Sequence, residues 1–330
     1  MIARRTFLAS AVGGLAAVSF AARAQKPKPL RVGILVSGYR SNPRLLDAFL
    51  RGLGDLGYAE HDNLTVVVRD VEGRQDRFPA LATELVALAP DVILAPSTPA
   101  ARAAMTATRT IPVLFIGDPD PVASGLVASL ARPGGNVTGI SNLGNEIFGK
   151  RVELLKQAVP GVRRVAYLWQ RGAFPERTEE EMLKRTDAEA RALDVQLVPA
   201  ESAGPADLDR AFAALAAARV DALILHNPSP ALFSARKRIA ELAVARRLPS
   251  MGNVREFAID GGLLSYGPDS AVSFLRAANF VGRIAKGAKA GDLAVERATV
   301  LELCVNLRTA AAIGVTLPTA LLARADDVLR

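Results

Sequence analysis

The strongest constraint on the fold is an alternation of short apolar runs with longer amphipathic stretches. The first run, residues 31–37 (RVGILVS), precedes a stretch in which Leu45, Phe49 and Leu53 recur at the spacing of one helix face. Further strand candidates span residues 64–68, 91–95, 111–116 and 137–140, and helix candidates span 78–88, 99–108 and 121–130. Strands that are apolar throughout, each followed by a helix, predict a parallel β-sheet with helices on both faces.

The same pattern restarts in the second half of the chain. Strand candidates span 165–169, 195–198, 222–225 and 249–251, and helix candidates span 152–159, 176–193, 207–218 and 232–246. Residues 90–97 (PDVILAPS) and 220–227 (VDALILHN) are alike, because each is an apolar strand whose polar exit leads into a helix. A single core of this size usually divides. We therefore predict an α/β fold with two doubly wound parallel-sheet lobes.

The N-terminal segment has the three parts of a secretory signal. Arg4 and Arg5 give a charged start, residues 9–22 form a short apolar stretch, and Ala22-Arg23-Ala24 matches a small-x-small cleavage site. The adjacent arginines favour twin-arginine export. A membrane anchor is the alternative, and it is disfavoured because the apolar stretch is shorter than the about 20 residues that span a bilayer. We expect residues 1–24 to be removed and the mature chain to be periplasmic, beginning at Gln25.

Composition and charge exclude several functional classes. The formal charge of +8 falls by three, to +5, when the three arginines of the signal are removed, and no Lys/Arg run has interleaved aromatic residues. We therefore predict no nucleic-acid partner. Cys304 is the single cysteine, which excludes an intrachain disulfide, and its apolar neighbours predict a buried, inert thiol. His61 and His226 lie far apart without ligand spacing, so we predict neither a metal site nor a cofactor.

Two glycine-containing segments partly match nucleotide-binding motifs, but neither meets the structural requirements of its motif. Residues 52–57 (GLGDLG) fit the dinucleotide fingerprint, but that fingerprint opens a helix, whereas these glycines close one. Gly57 suits the left-handed residue that ends a helix. Residues 144–151 (GNEIFGKR) approach the phosphate loop, but Arg151 stands where Ser or Thr must bind magnesium. No Gly-x-Ser-x-Gly elbow is present, and we predict that the protein is not an enzyme.

Small and polar residues follow many of the predicted strands. Open parallel sheets bind ligands beyond the carboxyl ends of their strands, so these residues are the candidates for a ligand site. They are Ser37, Gly38, Tyr39, Ser97, Thr98, Gly117, Asp118, Asn142, Trp169, Asn227, Asn253, Glu256 and Tyr266. Each could instead cap a helix or form a turn. A ligand cleft, however, requires such polar strand exits to converge, which favours the set over any single position.

Ser97 and Thr98 are the first pair expected to contact a ligand. Pro99 suits the first position of a helix, which makes Thr98 the predicted N-cap. The hydroxyls and the N–H groups of this helix start would bind a carboxylate without a lysine or arginine. We expect Ser97→Ala to weaken binding while leaving stability nearly intact. The amine of an amino-acid ligand would then need an acceptor, for which Asp118 and Glu256 are the candidates.

Several blocks of the sequence resemble one transport family. They are residues 49–58 (FLRGLGDLGY), 91–101 (DVILAPSTPAA), 117–139 (GDPDPVASGLVASLARPGGNVTG), 149–155 (GKRVELL), 261–267 (GGLLSYG) and 306–328 (NLRTAAAIGVTLPTALLARADDV). Over essentially the whole mature chain, the sequence resembles the ABC transporter substrate-binding family that includes tryptophan- and tyrosine-type binding proteins.

The resemblance implies the periplasmic binding protein type I fold, whose lobes are joined by hinge strands. The first lobe would comprise residues 25–141 and 258–291, and the second 142–257 and 292–330. The strand expected at 261–267 and the helix at 270–286 would then return to the first lobe. The tail, with a strand expected over 295–306, would belong to the second.

The resemblance also implies a periplasmic receptor that closes on a small molecule and delivers it to an ABC permease and its ATPase. The implied ligand is an amino acid or a related carboxylate. Aromatic residues for stacking are few beyond Tyr39, Trp169 and Tyr266, which leaves aliphatic and organic-acid ligands open. The protein is expected to act as a monomer. A periplasmic sensing module that reports to a membrane kinase is the alternative, because an export signal and a ligand-binding fold suit both.

Overall fold

Apolar strands organise the chain into two sheets. The computed structural model describes residues 28–38, 43–143, 147–172, 176–226 and 230–330. The strands are β1 (Leu30–Val36), β2 (Leu64–Asp70), β3 (Val92–Ala95), β4 (Val113–Ile116), β5 (Val137–Ser141), β6 (Arg164–Gln170), β7 (Gln196–Ser202), β8 (Ala222–Leu225), β9 (Ser250–Gly252), β10 (Leu264–Pro268), β11 (Glu296–Arg297), β12 (Leu301–Asn306) and β13 (Asp327–Leu329).

Helices cover the sheets and connect most of the strands. They are α1 (Pro43–Asp55), α2 (Phe78–Ala87), α3 (Thr98–Ala107), α4 (Phe148–Ala158), α5 (Glu176–Ala192), α6 (Leu208–Ala217), α7 (Pro230–Ser234), α8 (Arg236–Ala245), α9 (Arg255–Ile259), α10 (Ser270–Ala285), α11 (Leu307–Ile313) and α12 (Thr319–Leu322). Gly57 adopts φ +86° just after α1, and the prediction that it is the left-handed residue closing this helix is confirmed.

The first sheet is parallel throughout, with strand order β11-β5-β4-β3-β1-β2. Side chains of β1 alternate between two cores: Ile34 packs with residues of α1 and α10, and Leu35 packs with residues of α2 and α3. Because both faces are covered, the central strands β3 and β4 are buried along their whole length. This is the arrangement that apolar runs without polar alternation predict.

The second sheet has strand order β13-β12-β10-β9-β8-β6-β7. Strands β6 to β10 are parallel, and β12 is antiparallel to β10. One face packs against α4, α5 and α12, and the other packs against α6 and α8. The predicted fold of two doubly wound α/β lobes is confirmed.

Two elements of the predicted pattern are wrong. Residues 121–130 form turns instead of a helix, because Gly125 is left-handed at φ +69° and the chain folds back on Pro121. The tail does not form one strand over residues 295–306. It divides into β11, which pairs with β5 of the first sheet, and β12, which pairs with β10 of the second.

The structure also corrects the placement of the strand expected at 261–267. This strand, β10, belongs to the second sheet, where it pairs in parallel with β9 and antiparallel with β12. The short helix α9 connects β9 to β10, and strands joined by a short connection usually pair in the same sheet. The following helix α10 does pack on the first lobe, against α1, β4 and β5.

The chain thus crosses between the lobes after Ser141, after Pro268 and after Arg297. Each of these residues is the last residue of its strand, and all three strands run in the common direction of their sheet. The carboxyl edges of the two sheets therefore meet at the junction of the lobes, which is also where the described residues of the predicted ligand set lie.

A pair of glycine substitutions in α1 tests the packing of the crossover helix α10. A Cβ at Gly52 would lie 2.7 Å from the Cβ of Ala278, whereas a Cβ at Gly54 would have no atom within 4 Å. We expect Gly52→Ala to lower the free energy of unfolding by about 1–3 kcal/mol, because it overpacks the α1–α10 contact. The matched Gly54→Ala should raise it by up to about 1 kcal/mol. Urea unfolding of both variants measures this, and equal effects of the two substitutions would contradict it.

Candidate ligand-binding site

Polar contacts join the two lobes at their carboxyl edges. The hydroxyl oxygen of Ser37, at the exit of β1, lies 3.1 Å from that of Ser234 in α7. Gln75 donates a hydrogen bond to the Oε1 of Gln170 at the end of β6, at 3.0 Å. Gly38 adopts φ +70°, and a Cβ there would lie 2.8 Å from the Ser234 hydroxyl. The structure thus places the predicted residues Ser37 and Gly38 directly at the interlobe contact.

Asp70 fixes the two strand exits that form this contact. Its Oδ1 accepts hydrogen bonds from the backbone N–H groups of Gly38 and Glu72, each at 2.8 Å. The N–H of Gly73 donates to the hydroxyl of Ser37 at 3.1 Å. These bonds turn the chain sharply at the ends of β1 and β2 and hold Ser37 toward the second lobe.

The N-cap of α3 is Ser97, not Thr98 as expected. Ser97 is the N-cap of α3, with extended backbone, and its hydroxyl accepts the N–H of Ala100 at 3.3 Å. Thr98 is the first helical residue and is 1% exposed, and its hydroxyl donates to Asp118 Oδ2 at 2.5 Å. The prediction that Thr98 is the N-cap is wrong, because Pro99 occupies the second helical position and the cap moves one residue earlier.

Asp118 is fully buried and organises the exits of β4 and β5. Besides the Thr98 bond, its Oδ1 accepts hydrogen bonds from the hydroxyl of Ser124 at 3.2 Å and the N–H of Asp120 at 2.8 Å. Burial raises the pKa of Asp118, and these hydrogen bonds oppose the rise. The Asp118 carbonyl accepts the N–H of Asn142 at 3.1 Å, and Asn142 also packs beside the left-handed Gly117. Direct contact of these residues with a ligand stays a prediction.

The site residues of the second lobe lie at the ends of β6, β9 and β10. Trp169 packs in the core beneath α4 and α5, and within the described ranges its buried indole Nε1 has no hydrogen-bond partner. Asn253 is buried. Its backbone carbonyl oxygen packs against Gly267 so closely that a Cβ on Gly267 would overlap this oxygen. Tyr266 is half-buried, and its carbonyl oxygen accepts a hydrogen bond from Arg151 Nε at 2.8 Å. Two predicted residues, Tyr39 and Asn227, lie outside the described residues.

Arg151, Tyr167 and His226 form a buried polar cluster at this edge. The Tyr167 hydroxyl and His226 Nδ1 share a hydrogen bond, and their rings are tilted with centroids 5.1 Å apart. Burial, with a smaller effect of the Arg151 charge, lowers the pKa of His226 to about 3, so the imidazole is neutral at physiological pH. Burial also raises the pKa of Tyr167 and lowers that of Arg151 to about 10, which leaves the guanidinium charged.

A group of ionic side chains joins the lobes beside the cleft. Arg44, from α1 of the first lobe, lies 3.0 Å from Asp269, 3.5 Å from Glu256 and 3.7 Å from Glu302. Burial, followed by the neighbouring Asp269, raises the pKa of Glu302 to about 7. Glu256 is 4% exposed, and in the described part of the chain its Oε2 has no hydrogen-bond partner. Of the two predicted amine acceptors, only Glu256 has such an unpaired carboxylate oxygen.

The described residues contain neither a metal-ligand cluster nor a membrane-spanning helix. No group of three or more His, Cys, Asp or Glu side chains there is arranged to hold a metal ion. No helix in those ranges combines the length and apolar character needed to cross a bilayer. Cys304 is buried as predicted, and burial raises the pKa of its thiol to about 11.

Comparison with known proteins identifies the family. The sequence model of the family described as ABC transporter substrate binding protein matches residues 34–329. The chain belongs to this family of substrate-binding proteins. A curated relative, the tyrosine-binding protein of Clostridioides difficile, is 25% identical over 283 residues, which cover 86% of this chain and 79% of the relative.

Two solved structures show the same architecture. A conserved domain protein of Vibrio cholerae has a TM-score of 0.82 at 29% identity, covering 91% of this chain and 100% of that one. An ABC domain of Streptococcus pneumoniae in complex with L-Trp also has a TM-score of 0.82, at 23% identity, covering 92% and 100%. These similarities show the periplasmic binding protein type I fold that the sequence resemblance implies.

Sequence reasoning missed several residues that this substrate-binding protein brings to the cleft. Ser234 and Gln75 are ordinary polar residues of helical segments, and no local signal marks them as interlobe contacts. In the sequence, Arg151 stands out only as the residue that departs from a phosphate-loop motif. A signal for it was available, because an arginine in the first turn of the helix that follows β5 must lie near the carboxyl edges where the lobes meet.

The observed roles of Ser97 as N-cap and of Thr98 as a hydrogen-bond donor to Asp118 are testable by stability. Ser97→Ala should lower the free energy of unfolding by about 1 kcal/mol, the usual loss for an N-cap. Thr98→Val should lower it by about 1–3 kcal/mol, because it removes a hydrogen bond from the buried Asp118. Thr106→Ala, at an exposed position of the same helix, is the control and should change it by less than about 0.5 kcal/mol. A Ser97→Ala urea midpoint equal to that of the wild type would contradict the capping role.

Proposed function

We propose that this protein is the periplasmic substrate-binding component of an ABC importer. It binds a small molecule, an amino acid or a related carboxylate, in the cleft between the lobes. The observation that carries the proposal is the meeting of the two carboxyl edges, with the contacts Ser37–Ser234 and Gln75–Gln170 joining polar strand exits from both lobes. Delivery to a permease and its ATPase is what membership in the family supports.

Hinge closure is the proposed means of binding. The chain crosses between the lobes at the ends of β5, β10 and β11, and crossings of this kind are the hinges of two-lobed binding proteins. The interlobe contacts made by Ser37, Gln75 and Arg44 are polar or ionic and involve few residues. Contacts of this size are weak enough to open and close, so a ligand that touches both lobes would shift the population toward the closed form.

An amino acid is the proposed ligand class because of the relatives and the groups at the cleft. The curated relative is named for tyrosine, and one structural neighbour holds L-Trp. In this chain, the unpaired oxygen of Glu256 would accept an ammonium group, and the unpaired indole N–H of Trp169 would donate to a polar ligand atom. Both carboxylate oxygens of Asp118 already accept hydrogen bonds from Thr98 and Ser124, so Asp118 would position these side chains instead of binding the amine.

We also propose export with removal of residues 1–24, on the basis of Arg4-Arg5 and the Ala22-Arg23-Ala24 cleavage pattern. Protein recovered from the periplasm should begin at Gln25, and replacing both arginines by lysine should block twin-arginine export. N-terminal sequencing and cell fractionation measure this. A periplasmic protein that still begins at Met1 would overturn the cleavage, and unchanged export of the lysine variant would overturn the route.

Calorimetric titration of the mature protein with the twenty L-amino acids and a set of small carboxylates tests the ligand class. At least one should bind with a dissociation constant near or below the micromolar range, about −8 kcal/mol. Ser234→Trp should weaken that binding at least about tenfold, because the indole would separate Ser37 and Gly38 from α7. Ser129→Trp, at an exposed turn preceding the amino end of β5, is the control and should bind as the wild type does. Absence of binding across the panel would refute the proposal.

A further inference from the structure

Arg151 is a buried cation that has no carboxylate partner in the described part of the chain. Its side chain lies in the first turn of α4, and the residue is 5% exposed. Nε donates to the Tyr266 carbonyl, and among the described residues no acceptor bonds either Nη and no carboxylate lies within 4 Å. Arg236 is the natural comparison, because it is 7% exposed and is paired with Asp260 at 2.8 Å. Buried charges are normally paired in this way, and an unpaired one is strongly unfavourable.

The position of Arg151 in its helix adds to the penalty. The N-terminus of a helix carries a partial positive charge, which disfavours a second cation there. The first turn of α4 contains no acidic residue to compensate. Two carboxylates are bonded to other groups of this helix start: Glu189 accepts the N–H of Gly149 at 3.1 Å, and Glu153 pairs with Lys150 at 2.7 Å. The helix N-terminus therefore adds a partial positive charge beside the guanidinium, and no carboxylate of the first turn offsets it.

The guanidinium lies at the carboxyl edge of the second sheet. Nη2 is 3.4 Å from the position that a Cβ on Gly267 would occupy, near the end of β10. Asn253, at the exit of β9, approaches the same glycine through its carbonyl. The nearby Tyr167 and His226 are neutral, so they do not balance the charge. An uncompensated positive charge thus stands where strand exits form the cleft.

We propose that Arg151 binds the carboxylate of the ligand and is the anion-binding residue of the cleft. This proposal rests on the proposed function. It assigns the ligand carboxylate to the second lobe, whereas the sequence predicted that Ser97 and Thr98 of the first lobe would bind it. Because Nε is already engaged, the two Nη groups remain to donate charge-assisted hydrogen bonds. An anionic ligand compensates the buried charge, whereas a neutral one leaves it unpaired. The cleft should therefore select carboxylates against the corresponding amides.

Stability provides the first test. Arg151→Met removes an unpaired charge and fills similar space, so the melting temperature of the ligand-free protein should be unchanged or higher. Arg236→Met, the matched control, leaves the partly buried carboxylate of Asp260 without its ion pair and should lower the melting temperature by about 3 °C or more. A fall of similar size in Arg151→Met would show that Arg151 serves the fold, and it would overturn the proposal.

Binding provides the second test. Calorimetry would compare L-tyrosine, L-leucine and benzoate with L-tyrosinamide, L-leucinamide and benzamide. The wild type should prefer each carboxylate that it binds over its amide by about tenfold to a hundredfold, as charge-assisted hydrogen bonds predict. Arg151→Met should lose that preference, Arg151→Lys should keep part of it because a point charge replaces the planar group, and Arg236→Met should keep it fully.

The outcomes separate this proposal from the proposed function. Carboxylate binding that is unchanged in Arg151→Met would overturn the role of Arg151 while leaving a ligand-binding receptor intact. If the wild type binds none of these probes, they are not its ligands, and the proposed ligand class is contradicted to that extent. The melting temperatures then test the proposed role of Arg151. A lower melting temperature of Arg151→Met refutes that role, and an unchanged or higher one supports it.

Discussion

The direction in which the strands run determines where this protein can have a site. The chain leaves the first sheet at the end of β5, returns from the end of β10 and leaves again after β11, so the carboxyl edges of both sheets are brought together. Burial of both faces of each sheet under helices leaves these edges as the places where loops, helix starts and polar side chains can gather. The meeting of the two carboxyl edges between the lobes is a consequence of that topology.

The polar groups at the carboxyl edges of the two lobes differ in their hydrogen bonding. On the first lobe, Asp70 and Asp118 accept hydrogen bonds from the loops around them, so the polar groups of these two side chains are paired. On the second lobe, Arg151, Trp169 and Glu256 each keep a polar group without a partner in the described chain. Such groups are unfavourable until something bonds to them. Under the proposed function, a ligand that bonds to these groups would stabilise the closed form.

The sequence predicts the layers of the fold and the edge that holds the site, because both follow from local patterns: apolar runs, helical spacing and polar strand exits. It does not predict that β10 stays in the second sheet, since strand pairing depends on distant partners such as β12. The roles of Ser97 and Thr98 also depend on a distant group, because Asp118 captures the Thr98 hydroxyl across 20 residues. The isolation of Arg151 is visible only when its whole surroundings are known.

The measurement that tests the central claim most directly is small-angle X-ray scattering of the mature protein. The profile would be recorded with and without saturating amounts of the carboxylate that binds most tightly in calorimetry. If ligand contacts draw the two carboxyl edges together, the radius of gyration should fall on saturation, and the Ser234→Trp variant should show less contraction because α7 can no longer contact Ser37 and Gly38. An unchanged profile at full saturation would contradict closure of the lobes on the ligand.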